Sequence, residues 1–145
     1  MNQRTTSRCT QVVAPTLAEG EQIQIVEAVQ VGKVSAKKQM ATAAIVGVAT
    51  AGTVVVALKP RPFYLVVTNQ RLIFVNNLRG RVGTIAAAVP RSAITVEPLR
   101  PHLLTLSMTV IINGTPQRFS WGRAQASMAR RVADALNSAS SAPAA

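Results

Sequence analysis

Two apolar, β-favouring runs stand almost end to end at 63–68 (Phe63-Tyr64-Leu65-Val66-Val67-Thr68) and 71–75 (Arg71-Leu72-Ile73-Phe74-Val75), with only Asn69-Gln70 between them. Asn accepts the left-handed backbone of a tight turn, so the segment predicts an antiparallel hairpin. Other strands are available to pair with it. At 22–34, Ile23, Ile25, Val29 and Val31 alternate with Gln22, Gln24 and Gln30, the period-two pattern of a half-buried strand, broken at Val26 and Ala28.

Beyond the hairpin, Asn76-Asn77 and Arg79-Gly80-Arg81 mark a turn, and 82–89 and 93–96 predict two short strands with a bend at Pro90. Residues 103–112 and 115–121 predict a last hairpin about Asn113-Gly114, both of which tolerate positive φ. After Gly122, Met128, Val132 and Leu136 recur every four residues beside Ala129, while Arg123, Arg130, Arg131 and Asp134 take other faces. That pattern predicts an amphipathic helix of about fifteen residues, which Asn137 would cap. Residues 1–15 lack apolar periodicity and 138–145 are rich in small residues, so both predict flexible tails around one domain at 16–137. Thr16-Leu17-Ala18-Glu19 has the spacing of a capping box and predicts a short helical turn at the domain's start.

Strands followed by one helix, the Phe63 to Phe74 hairpin with its Thr68 to Leu72 turn, the opening Leu17-Ala18-Glu19-Gly20-Glu21 and the closing Asn113-Gly114 hairpin together resemble the bacterial pleckstrin-homology-like domains, over residues 17–137. The resemblance implies a mainly β (α+β) fold: a seven-stranded, partly open barrel of two antiparallel sheets capped by the C-terminal α-helix. In that setting Thr68 is expected to bond its own turn backbone and Arg71 to face a neighbouring strand, both as structural residues.

One stretch needs its own explanation. Residues 40–58 carry no charge and fall between the first two strands, so they predict a long apolar loop or helix. In helix they would span ~28 Å, close to the thickness of a bilayer's hydrocarbon core. Eleven of the nineteen are Ala, Gly or Thr, and a single crossing would part the first strand from the others. Packing on the protein or a second copy, dipping into a membrane face and crossing all remain open, with Ile45, Val46, Val48 and Val54 as the apolar contacts. Lys33, Lys37, Lys38, Lys59 and Arg61 flank the stretch, and Lys59-Pro60-Arg61 resembles the basic-x-Arg element of eukaryotic phosphoinositide-binding pleckstrin-homology domains. These cations are the candidate contacts for anions or lipid headgroups.

Sixteen Lys and Arg against five Asp and Glu give a net charge of +11, which favours anionic partners. The expected role is a non-enzymatic adaptor or binding module that meets an anionic membrane surface, a protein partner or another copy through 40–58. Nucleic acid is the alternative partner, or a structural place in a phage or other particle, given Arg79, Arg81, Arg91, Arg100, Arg118, Arg123, Arg130 and Arg131. Aromatics for base stacking are scarce at 3%. No catalytic residue, metal site or cofactor is expected: the single histidine, His102, reads as an exposed loop residue, and the carboxylates are scattered. A lone Cys9 reads as a solvated thiol, and with no apolar leader after Arg4 and Arg8 the chain is expected in a reducing cytoplasm, with or without membrane association.

Overall fold

The structure is a computed structural model that describes residues 2–33 and 61–141. Eight strands, β1 (Ile23–Lys33), β2 (Arg61–Thr68), β3 (Arg71–Leu78), β4 (Arg81–Pro90), β5 (Ile94–Val96), β6 (Arg100–Pro101), β7 (Thr105–Ile112) and β8 (Thr115–Gly122), lie between helix α1 (Gln3–Val13) and helix α2 (Ala126–Ser141). All pairings are antiparallel, in the order β4-β3-β2-β1-β8-β7-β5 with β6 on β7. The strand the sequence does not announce is β6, two residues long. β4 and β5 stand at opposite ends of that order, although only Arg91–Ala93 separate them in the chain. Four peptide steps reach at most ~14 Å, so the sheet curls until its two edges meet at this corner.

Inside the curl, Val29, Val31, Leu65, Phe74, Met108 and Phe119 form the main core, closed by Ala129, Val132 and Leu136 of α2. Phe74 stands edge-on to Phe63 and Phe119, with ring centroids 5.7 and 5.9 Å apart. Arg91 fastens α2 over this core: its guanidinium donates to the carbonyls of Thr68, Ala135 and Leu136 at 2.8, 2.9 and 3.1 Å.

A second cluster lies on the other face of the β1–β4 part, where Val26, Tyr64, Val66, Ile73 and Val75 pack beneath Cys9 and Val13 of α1. Here the structure corrects the expected N-terminal tail. Residues 3–13 are helical, with Asn2 as N-cap accepting from Thr5 N at 2.8 Å, and Cys9 is buried rather than solvated. Burial pushes its thiol up to about 11, which leaves little reactive thiolate. Only Cys9, Val12 and Val13 offer α1 an apolar side, too little to stand out as periodicity. The cover explains two oddities: Val26 and Ala28 break the alternation because their face is also buried, and β2 and β3 are continuously apolar because both of their faces are covered.

Other local expectations also change. Thr16 ends a 3-10 turn, Ala14–Thr16, and donates to Val13 O; the carboxylate that caps Ala18 N, at 2.9 Å, belongs to Glu21 and not Glu19. Asn69 keeps an ordinary φ and works through its side chain, which accepts from Gln22 N at 2.8 Å and donates to Gly20 O. Arg79 and Asn113 are the described non-glycine residues with positive φ, each before a glycine, as a two-residue hairpin turn requires. α2 runs through Asn137 to Ser141, so Asn137 is no cap and the expected C-terminal tail is helical at its start.

Candidate functional site

Antiparallel register decides where the uncharged stretch attaches. β1 and β2 pair from Ile23 with Thr68 to Val31 with Arg61, so the chain leaves β1 and enters β2 at one end of that pair. β1 and β2 therefore lie on the same side of whatever the intervening chain meets. Lys33 closes β1, its backbone opposite Gln117 of β8, and Arg61 opens β2 with its side chain exposed. Of the candidate residues, these two are brought to the same strand ends. Lys37, Lys38, Lys59, Ile45, Val46, Val48 and Val54 lie outside the described residues.

The β3–β4 turn joins this end, because β3 continues from Asn76, opposite Phe63, to Arg79-Gly80. Asn77 Oδ1 accepts from Gly80 N at 2.7 Å and holds the turn. Leu78 is 58% exposed there, between exposed Arg79 and Arg81 and the start of β2. Arg61, Arg79 and Arg81 stand at this end, and residues 61–81 include no carboxylate.

The far end of β1 is organised for stability. Glu21 has a fully buried carboxylate that takes Arg71 Nε at 3.0 Å and Nη2 at 2.9 Å, Thr68 Oγ1 at 2.6 Å and Ala18 N. Thr68 Oγ1 also accepts from Gln70 N and Arg71 N, the turn-bonding role expected of it, while Arg71 reaches past the neighbouring strand to Glu21. Burial by itself raises the Glu21 pKa, but the hydrogen bonds from Arg71, Thr68 and Ala18 outweigh it and hold the group at about 2. The other buried carboxylate, Glu27, accepts from Arg131 Nε at 2.8 Å, and its second oxygen has no partner. Gln117 shares the buried face of β8 with Phe119 and Trp121, its amide also without a hydrogen-bond partner.

Beside β1, where Trp121 Nε1 donates to Ala28 O at 2.8 Å, lies a cavity of about 160 Å³ walled by uncharged side chains including Gln30, Asn77 and Ser120. No charged side chain lines it. His102 is exposed with Nε2 2.7 Å from Ser107 Oγ, but no carboxylate bonds the ring to orient it. Among the described residues no three His, Cys, Asp or Glu side chains converge on a point. No helix among them is long and apolar enough to cross a membrane.

The sequence reading missed Leu78, and it missed that Arg4 and Arg8 sit on a helix, because they lie on the segment expected as a tail. The usable signal was their four-residue spacing beside Cys9 and Val13, which have the same spacing. Compared with known proteins, the chain matches no family model and no curated protein.

Proposed function

We propose that this chain is a non-enzymatic binding module of the pleckstrin-homology-like kind, which attaches to an anionic membrane surface through residues 40–58 and the cations around their base. A curled antiparallel sheet closed by a C-terminal helix supports the family reading. The observation that carries the role is the pairing of Val31 with Arg61. It brings together the strand ends from which the intervening chain leaves and to which it returns, at Lys33 and Arg61, on the same end of the sheet as Arg79 and the exposed Leu78. An apolar segment flanked in sequence by cations suits the boundary between lipid tails and anionic headgroups, where each Lys or Arg near the surface contributes about 1 kcal/mol.

Co-sedimentation with mixed phosphatidylserine–phosphatidylcholine vesicles tests this. Val46→Asp with Val48→Asp is expected to weaken binding at least about tenfold, since each carboxylate must be dehydrated to enter the interface. Arg100→Ala with Arg130→Ala removes two cations elsewhere and should change it little. Arg131 is unsuitable for that control because it balances buried Glu27. Binding unchanged by the two Asp substitutions would reject the mechanism. A salt-sensitive gel shift with nucleic acid would favour the rival reading.

A further inference from the structure

We propose that the cleft between α1 and the β3–β4 turn is a second site, independent of residues 40–58, that binds a phosphate monoester or diphosphate group. The cleft is about 270 Å³, enough for such a group and part of what bears it, and Arg4, Arg8 and Arg81 line it together with Asn2, Thr5 and Gly80. Two features of the fold bring these arginines together. Burial of Cys9 and Val13 against the sheet fixes the rotation of α1, which turns Arg4 and Arg8, one helical turn apart, toward the β3–β4 turn. On the other wall, the left-handed Arg79 and Gly80, at φ 55° and 88°, reverse the chain so that Arg81 comes back along the cleft.

No carboxylate neutralises them. Glu21 is committed to Arg71, Glu27 to Arg131, and Glu19, Glu97 and Asp134 take no part in the wall. Three arginines line one solvent-open hollow, so like charge gathers there with only solvent to screen its repulsion. A phosphate monoester relieves that repulsion, because its oxygens accept paired N–H donors from each planar guanidinium. The first turn of α1 borders the same hollow and adds the positive end of its dipole. A terminal phosphate of that chemistry is found on soluble phosphorylated compounds and on lipids such as phosphatidic acid.

Isothermal titration of the intact chain with sodium pyrophosphate reads the site directly. One-to-one binding is expected, weakened about 100-fold by Arg8→Ala with Arg81→Ala, one arginine from each wall. Arg100→Ala with Arg130→Ala, which removes the same charge, should change it less than about threefold. All four side chains are exposed, and matching thermal melts would show that both variants fold. Equal losses in the two variants, or no pyrophosphate binding, would overturn the site. Vesicles of phosphatidic acid and phosphatidylserine at matched surface charge then identify the source. A preference for phosphatidic acid that Arg8→Ala with Arg81→Ala abolishes assigns the site to a lipid headgroup, and no preference alongside intact pyrophosphate binding assigns it to a soluble ligand. Val46→Asp with Val48→Asp should leave the pyrophosphate titration unchanged, which separates this site from the membrane contact.

Discussion

Arg71→Ala should lower the unfolding free energy by about 3–5 kcal/mol at neutral pH, the usual cost of leaving a buried charge without its partner. Arg71 gives the Glu21 carboxylate two hydrogen bonds and Thr16 O a third, at 2.8 Å, so it joins the chain before β1 to the β2–β3 turn. Acid should erase most of the difference. Glu21 is held at about 2 in the folded chain against an ordinary 4.5, so its contribution, roughly 3 kcal/mol, is complete above pH 4.5. It is lost as pH falls from 4.5 toward 2, because the unfolded chain takes up that proton first. In the variant, burial without Arg71 favours the protonated acid, so acid relieves the variant as it weakens the parent. Urea titrations at pH 7 and near pH 2 measure both gaps; equal gaps at the two pH values would contradict this account of Glu21. Arg71→Lys should recover part of the loss, since an ammonium keeps the charge but not the paired fork.

Phe74→Ala should cost about 3–5 kcal/mol by opening a cavity at the centre of the main core. The ring is fully buried and stands edge-on to Phe63 and Phe119, two contacts worth about 0.5–1.5 kcal/mol each beyond the area buried. With only five aromatic residues in the chain, no neighbouring ring is spare to fill the void. Phe74→Leu keeps most of the volume and should lose less than half as much. A loss below about 1 kcal/mol for Phe74→Ala would place the core elsewhere.

The strands were legible because their signals are local. The hairpin at Asn69-Gln70, the Asn113-Gly114 turn and the alternation of Ile23, Ile25, Val29 and Val31 each appear within a dozen residues, and α2 shows its four-residue period. Helix α1 was hidden because it is held by the far side of the sheet, and its own sequence is mostly Thr, Gln, Arg and Ser. The break at Val26 and Ala28 is the local trace of that cover. Glu21 and Arg71 lie fifty residues apart, and nothing local announces their ion pair. The same is true of the basic cleft, whose two walls come from opposite ends of the first eighty or so residues. β6 is too short to leave a pattern. The flanking of 40–58 by cations was readable, whereas the placing of the end of β1 and the start of β2 beside the β3–β4 turn required the register.

An environment-sensitive fluorophore at an introduced Val48→Cys asks whether the uncharged stretch meets lipid. Cys9 competes poorly for the label, being buried under α1 with its thiol pushed up to about 11. Adding phosphatidylserine-containing vesicles is expected to shift the emission to the blue, brighten it, and expose it to quenching by spin labels on the lipid chains, while pure phosphatidylcholine vesicles leave it unchanged. Emission that stays unchanged when the protein has fully pelleted with the vesicles, or a protein that never pellets, would contradict the account.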